Sequence, residues 1–501
     1  MKKSILFALA LVCAFLTLGS GAAFAASDAA QIGTLGFDSI QDAINNASPG
    51  DIIKIMRDVE VSAGLSVLAD DDIIIDLNGY TISYNPSVDG TTALITNKGK
   101  LTINDSSAAK TGKLINQAAN PDTQAIPGYA SNNITNSGTL IVNGGTIENA
   151  TSGGSATYAI DNNSTTGNAT VTINGGHIKA VSVAVRLFAN SGVLKNTLVI
   201  NGGTLEGKRA VWVQLPGSNN AIVPPVDVDV NGGILKSTDK DSNNLAIYVY
   251  SFGDNFGGVD IDITDGTIDG DIALHGYYKN GTTGSESLNV TGGKFTGEYG
   301  VYSYESDTGE AAKIEITGGA FAAEPSEDDL GDGLVAKKSV DGAWHVFAPV
   351  AKIDDVYYET LAEAAEEAED GDVIEILKSY VDAGSIQLGD KDLIISLGDN
   401  TLSAEFFIND AMDLTILGNS DDNEIKLALN GVKEGFTLGW VGVVNEDVTE
   451  PGPNGTVYTT KWAAEVKNPS TGDNVVAFLG LVVLSVAALI GSRIAIKREH
   501  A

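Results

Sequence analysis

A segment of about ten residues recurs along this chain at intervals of 26 to 33 residues. Seven copies align clearly, and the polar residue at the centre of each copy stands just before a glycine-containing corner. These central residues are Asn143, Asn174, Asn201, Asn231, Thr264, Thr291 and Thr317, with two looser copies around Asn78 and Asn104. A repeat of this length buries its apolar face only against neighbouring copies. The chain is therefore expected to stack its repeats.

The pattern inside each repeat indicates very short strands. Residues one and three positions before the centre are apolar, as in Leu140 and Val142, whereas the residue between them varies. A period of two predicts a strand with one buried face. The glycines permit a corner with positive φ, and an apolar residue such as Ile147 resumes a second strand. This favours an all-β parallel β-helix over a sandwich or a propeller, with the central asparagines laddered between coils.

A helix is predicted ahead of the coils. Ile40, Ala43, Ile44 and Ala47 share one helical face, and Ser39 is a suitable N-cap. Such a helix can cover the open end of a stack of strands. The stretch resembles the N-terminal cap of pectin-lyase-like proteins, and that resemblance implies a right-handed parallel β-helix over residues 26–350.

The cap pattern returns at an offset of 321 residues, in "TLAEAAEEAEDGDVIEI". Leu361, Ala364, Ala365 and Ala368 repeat the apolar face, and two strand patterns follow. The sequence therefore predicts a second, truncated cap-plus-β module over residues 351–430. A C-terminal β and linker region is expected over residues 431–467.

The N-terminus has the pattern of a secretory signal peptide. Lys2 and Lys3 precede an apolar stretch, and small residues end at Ala25 with the A-x-A form of a cleavage site. We predict a signal peptide over residues 1–25, cut between Ala25 and Ala26. Cys13 is the only cysteine, so the mature protein would rely on buried apolar area and not on disulfides.

The C-terminus carries a second sorting pattern. The apolar run 475–491 is long enough to span a bilayer and is followed by basic residues. Just before it stands the pentapeptide Asn468, Pro469, Ser470, Thr471, Gly472. These features, in this order over residues 468–501, resemble the cell-wall sorting signal of Gram-positive surface proteins. The commonest form of the pentapeptide in that family begins with Leu, whereas this one begins with Asn468.

That resemblance implies a location and two partners. A sortase would cleave between Thr471 and Gly472 and join Thr471 to peptidoglycan, while the apolar helix holds the chain transiently in the membrane. The protein would then be an extracellular, cell-wall-anchored surface protein. The formal net charge of −35 agrees with a soluble surface and excludes nucleic acid as a partner.

A binding surface is predicted on another strand of each coil. If Val185, Val211, Ile247, Leu274 and Val301 point inward, the following residues form an outward column of Arg186, Trp212, Tyr248, His275 and Tyr302. A parallel column two residues further on contains Phe188, Gln214, Tyr250, Tyr277 and Tyr304. Aromatic side chains in two adjacent columns are suited to stacking on sugar rings. The same rings could instead form a ladder that only stabilises the sheet.

Three functions remain open at this point. The preferred one is a surface protein that binds carbohydrate or another host surface without catalysis. A polysaccharide lyase or glycoside hydrolase is the second, although hydrolysis needs two nearby carboxyl groups and these columns contain none. A passive stalk or protein-binding adhesin is the third.

Four aspartates on neighbouring strands define a candidate cation site. Asp227 and Asp229 lie in "VDVDV", and Asp260 and Asp262 lie in "VDIDI" one coil later. Carboxylate oxygens in this arrangement could bind Ca²⁺, although a solvated acidic face is the simpler interpretation. No other cofactor is expected.

Overall fold

A computed structural model of the chain describes residues 28–84, 92–117, 131–150, 157–163, 167–189, 194–216, 226–240, 244–253, 258–278, 286–305, 312–389, 391–408, 413–417, 424–429, 437–441, 444–445 and 456–462. Within these ranges the chain is mostly β, with two short α-helices, α1 (Ile40–Asn46) and α2 (Leu361–Glu367), and one 3₁₀ turn, Glu327–Asp329. The chain forms two compact units. One comprises Met1–Gly331 and Lys338–Val346, and the other comprises Asp332–Lys337 and Phe347–Ala501.

The largest sheet has 22 strands and contains both strands that flank each glycine corner. Its strands are Ala30–Ile32, Leu35–Phe37, Ile52–Ile55, Val59–Val61, Asp72–Asp76, Thr81–Tyr84, Lys100–Asn104, Lys113–Asn116, Thr139–Val142, Thr146–Asn149, Ala169–Ile173, His177–Ala180, Asn196–Ile200, Thr204–Gly207, Val226–Ser237, Val259–Asp269, Glu286–Val290, Lys294–Phe295, Lys313–Ile316, Ala320–Phe321, Val335–Lys338 and Trp344–Phe347.

A second sheet in the first unit has nine strands, one from each coil. Its strands are Leu65–Val67, Thr92–Asn97, Ser131–Asn136, Thr157–Asn163, Val183–Phe188, Arg209–Pro216, Leu245–Gly253, Asp271–Tyr278 and Val301–Glu305. Successive strands pair in parallel with the strand one coil earlier and one coil later. The prediction of an all-β chain with stacked parallel strands is thereby confirmed.

The core of the first unit lies between these stacked strands. Val142, Ile173 and Ile200 occupy equivalent positions on three successive strands, and each is fully buried. Ile147 and Ile178 do the same on the strands beyond the glycine corner. Each apolar layer is therefore covered by identical layers above and below, which is how strands of four residues can bury a core.

The glycine corners are required by the close approach of neighbouring coils. Gly145 and Gly176 adopt φ of +84° and +91°, a region that disfavours other residues. A Cβ atom on Gly176 would also lie 2.6 Å from the carbonyl oxygen of Gly145 one coil below. The corner therefore tolerates no side chain, for two independent steric reasons.

The central asparagines form the expected ladder on the outside of these corners. The amide of Asn174 donates to Asn143 Oδ1 at 2.8 Å, and Asn201 donates to Asn174 Oδ1 at 2.8 Å. Asn231 continues the ladder to Asn201 at 3.1 Å, and the Thr264 hydroxyl bonds to Asn231. These side chains are exposed, so water competes for each bond.

A second asparagine ladder, buried inside the first unit, was not anticipated from the sequence. Asn97, Asn136, Asn162 and Asn196 are all fully buried at the corner after the nine-stranded sheet. Each amide of the first three donates to the next side-chain oxygen at 2.7 Å. Asn196 at the far end donates to the backbone oxygens of Asn162 and Phe188.

Helix α1 has the predicted amphipathic face. Ile40, Ala43 and Ile44 are buried, and the Ser39 side chain accepts a hydrogen bond from the backbone N–H of Asp42. That bond satisfies one of the N–H groups that a helix start leaves unpaired.

The second unit repeats this organisation. Thr360 and Glu363 form a capping box on α2, whose Leu361, Ala364 and Ala365 are buried. A six-stranded sheet contains Ala351–Ile353, Val356–Tyr358, Asp372–Ile376, Leu393–Ser396, Asp413–Leu417 and Thr437–Val441. A five-stranded sheet contains Tyr380–Gly389, Leu402–Ile408, Glu424–Leu429, Val444–Asn445 and Thr456–Trp462.

Candidate functional site

The outer side of the nine-stranded sheet carries a cluster of aromatic and arginine side chains, called here the aromatic–arginine surface. Its described members are Tyr158, Asp161, Arg186, Phe188, Arg209, Trp212, Gln214, Tyr248, Tyr250, His275, Tyr299 and Tyr302. The alternation of each strand explains the placement. In Arg209–Pro216, for example, Val211 and Val213 are fully buried, and the intervening Trp212 points away from the core.

The structure corrects the predicted register at one strand. Arg186, Trp212 and Tyr248 do lie opposite one another on successive coils, as expected. The next partner of Tyr248, however, is Ala273 and not His275.

Relative to the predicted column, Asp271–Tyr278 is displaced by two residues, because Ile247 pairs with Ile272 and not with Leu274. His275 therefore pairs with Tyr250 in the second column, and Tyr304 pairs with His275 on the following coil. Tyr277 falls opposite Phe252, outside both predicted columns. The side chains of Tyr277 and Tyr304 lie outside what the structure describes.

Most of the rings are half-buried instead of lying open to solvent, whereas Tyr299 is exposed. Trp212 contacts Tyr158 edge-on, with ring centroids 6.3 Å apart, and Tyr158 itself is only 2 % exposed. Burial raises the pKa of Tyr158 above its usual value. Trp212 therefore has a packing role, because its ring covers a buried tyrosine.

A buried ion pair lies at one end of the surface. Arg186 Nε and Nη2 donate to the two carboxylate oxygens of Asp161, both at 2.8 Å, and Nη1 donates to Gln214 Oε1 at 3.2 Å. Their side chains are 13 % and 4 % exposed. Burial alone would lower the pKa of Arg186, but the charge and hydrogen bonds of Asp161, together with Tyr158, outweigh it and raise that pKa.

Asp161 lies opposite Arg186 in the first column, one coil earlier, and was missed in the sequence. Asp161 could have been found by extending the first column by one strand toward the N-terminus, into "YAIDN".

Arg209 lies among the rings without a carboxylate. Its guanidinium carbon is 4.8 Å from the ring centroid of Tyr248 and 5.6 Å from that of Trp212. Both distances are within the range of cation–π attraction. Among the residues that the structure describes, Arg209 makes no ion pair and its buried Nε has no hydrogen-bond acceptor.

Tyr248, Tyr250 and His275 form a compact group next to Arg209. The Tyr248 hydroxyl is 3.2 Å from His275 Nδ1, and the His275 ring packs edge-on against Tyr250 at 5.7 Å. Burial lowers the pKa of His275, so its imidazole is neutral at pH 7. In that state Nδ1 can accept the Tyr248 proton in the hydrogen bond.

The described members of the surface include one carboxylate, that of Asp161. Glycoside hydrolysis needs two carboxyl groups placed about 5–9.5 Å apart. Asp161 is held by both arms of Arg186, and no second carboxylate is among the described members of the surface. Ring faces, amide groups and N–H donors are what remain for a ligand.

The four aspartates lie on adjacent strands as predicted, Asp227 opposite Asp260 and Asp229 opposite Asp262. Asp262 already accepts a hydrogen bond from Asn289, and burial together with the charge of Asp262 raises the pKa of Asp229. No group of three or more His, Cys, Asp or Glu side chains in the described ranges is placed to hold a metal ion. The calcium expectation therefore gains no support.

A groove of about 480 Å³ runs along the strands after the glycine corners. Its lining includes Glu148, Lys179 and Glu206, which lie opposite one another on successive coils. Charges of alternating sign at a strand spacing of about 4.8 Å compensate each other. This groove therefore offers a ligand less than the aromatic–arginine surface does.

The two predicted processing sites lie outside the described residues. These are the signal-peptide cleavage at Ala25 and Ala26 and the pentapeptide from Asn468 to Gly472, together with the apolar run 475–491. In the described part of the chain, no helix has the length and apolar character needed to cross a bilayer.

Comparison with known proteins gives no relative. No family model, curated protein or solved structure matches the chain.

Proposed function

We propose that this protein is a wall-anchored surface protein of a Gram-positive bacterium that binds carbohydrate on the aromatic–arginine surface of a right-handed parallel β-helix. The observation that carries the binding role is the grouping of Trp212, Tyr248 and Tyr250 on neighbouring strands. Half-buried rings of this kind offer apolar faces to the C–H faces of a sugar, and they are held rigid by their own packing. Because the ring positions are preformed, little ordering entropy opposes binding.

The surrounding polar groups support the same interpretation. Trp212 Nε1 and Arg209 Nε point donors into the cluster, and His275 and Gln214 add groups that can donate or accept. Ligand sites are typically apolar with a few such polar groups that fix orientation. A passive stalk would gain nothing from placing unsatisfied donors among aromatic rings.

A glycan array probed with the wild-type protein tests the binding role. Tyr248→Ala should lower affinity for the best-bound glycan roughly tenfold, about 1.4 kcal/mol, as measured by calorimetry. Tyr80→Ala is the matched control, because Tyr80 is an exposed tyrosine (36 %) outside the surface.

Unchanged affinity in Tyr248→Ala would contradict the proposal. Shortening of the bound glycan during incubation would favour the enzymatic alternative instead.

The anchoring role rests on the ordered pentapeptide, apolar run and basic tail in the sequence. Thr471→Ala removes the residue whose carbonyl a sortase would attack. The variant should then accumulate in the membrane fraction, whereas wild-type protein should be released only by a peptidoglycan hydrolase. Covalent attachment of the variant to peptidoglycan would show that the sorting assignment is wrong.

A further inference from the structure

The two arginines of the aromatic–arginine surface differ in how their donors are used. Arg186 donates to both oxygens of Asp161 and to Gln214, so three of its nitrogens have acceptors. Among the described residues, the Arg209 guanidinium makes none of these bonds and lies against the rings of Trp212 and Tyr248. The first arginine is therefore part of the scaffold, and the second retains its hydrogen-bonding capacity.

The unused donors are concentrated at one place. Nε of Arg209 and Nε1 of Trp212 are both buried and both lack an acceptor among the described residues. The Arg209 guanidinium lies 5.6 Å from the Trp212 ring, so the two groups are neighbours. A buried donor without a partner is destabilising, and here two such donors belong to neighbouring side chains. Their position indicates a ligand that supplies acceptor oxygens.

The charge of Arg209 decides which acceptor fits. The chain has 65 acidic and 30 basic residues, yet no carboxylate pairs with this half-buried cation in the described ranges. A guanidinium stacked on a ring keeps its N–H groups in the guanidinium plane, where they match the two oxygens of a carboxylate or sulfate. A neutral hydroxyl would satisfy one donor and leave the charge uncompensated.

We propose that Arg209 and Trp212 form an oxyanion subsite, which makes the surface selective for glycans that carry carboxylate or sulfate substituents. This inference rests on the proposed carbohydrate-binding function and adds the ligand class. The net charge of −35 opposes dense polyanions at long range, but isolated anionic groups are attracted locally once ionic strength shortens the screening length to about 8 Å. Sparsely charged chains are therefore the best ligands.

The test compares matched oligosaccharides by calorimetry at 0.15 M salt. One pair is a hyaluronan oligosaccharide and its carboxyl-reduced form. The other is a keratan sulfate oligosaccharide and its desulfated form, so the two pairs separate carboxylate from sulfate as the source. Wild-type protein should bind the charged member of at least one pair roughly ten- to a hundredfold more tightly, as expected for hydrogen bonds to a charged group.

Arg209→Gln should abolish that preference, so that the charged and neutral members of each pair bind with equal affinity. Arg57→Gln is the matched control, because it removes the same charge at an exposed position outside the surface and should preserve the preference. If Arg209→Gln does not fold, Trp212→Phe replaces it. Phe keeps an aromatic ring but removes the Nε1 donor, and it should reduce the preference roughly threefold to tenfold.

The outcomes separate the two proposals. Equal binding of charged and neutral members by the wild type overturns the oxyanion subsite and leaves carbohydrate binding intact. A preference that persists in Arg209→Gln, or in Trp212→Phe where the first variant does not fold, also overturns the subsite. Absence of binding to all four oligosaccharides and to the glycan array overturns both.

Discussion

Replacing Asn162 with alanine should destabilise the protein much more than the same change at Asn174. Both asparagines lie within a ladder, and each donates to one neighbouring side chain and accepts from another at 2.7 or 2.8 Å. The difference is burial, since Asn162 is 0 % exposed and Asn174 is exposed. In addition, Asn162 donates to the backbone oxygens of Ala169 and Thr197, so the pair compares a buried, multiply bonded asparagine with an exposed one.

The magnitude follows from the groups left behind. In Asn162→Ala, Asn196 Oδ1 loses its donor in a site that water does not reach, at a cost of about 1–3 kcal/mol. Loss of the bond from Asn136 adds about 0.5–1.5 kcal/mol, so the free energy of unfolding should fall by roughly 2–4 kcal/mol. In Asn174→Ala the exposed neighbours bond to water instead, and the loss should stay below about 1 kcal/mol.

Urea unfolding followed by circular dichroism measures both values. The midpoint should fall in Asn162→Ala while the slope m stays constant, because neither variant changes the surface exposed on unfolding. Equal losses in the two variants would refute the argument, since burial would then not control the strength of the ladder.

Three further results are expected. Asp161→Ala should lower the free energy of unfolding by about 3–5 kcal/mol in urea titrations, because it leaves the Arg186 charge buried and unpaired. A loss under about 1 kcal/mol would contradict the buried ion pair. Ile173→Asp places a charge in a fully buried layer and should reduce stability by several kcal/mol, and an unchanged melting temperature would show that the inward register is wrong. The pKa of His275, followed by NMR, should lie below 6.5 because burial disfavours the imidazolium. The contribution of His275 to stability is therefore present above pH 6.5 and is lost as the pH falls through the lowered pKa. A measured pKa above 6.5 would refute this.

The inward and outward residues beside the glycine corners could be predicted from the sequence because their determinants are local. Ile173 and Ile200 alternate with polar residues, and the glycine corners repeat after them at nearly constant distance. The exposed ladder of Asn143 and Asn174 follows from the same register, since identical positions stack on one another. One repeat contains nearly all the information that places these side chains.

The position of His275 could not be predicted in this way. Ile272 and Leu274 are both apolar and fully buried, and either could be placed opposite Ile247 without changing the alternation. A shift of two residues leaves the same side chains pointing inward and outward, so the alternation of apolar and polar residues cannot reveal it. Only the pairing of whole strands puts His275 beside Tyr250 and not in line with Tyr248.

The contacts of the buried members of the aromatic–arginine surface, like the position of His275, could not be predicted from the sequence. Asp161 bonds to Arg186 on the next coil, and Tyr158 contacts Trp212 two coils later. The partners in each contact are 25 or more residues apart in the sequence. The sequence by itself determined that strands of period two would stack behind glycine corners, because that pattern depends on neighbouring residues and on repetition. The tertiary structure alone decided which side chains meet across coils, because the linking segments differ in length and a period of two cannot distinguish registers two residues apart.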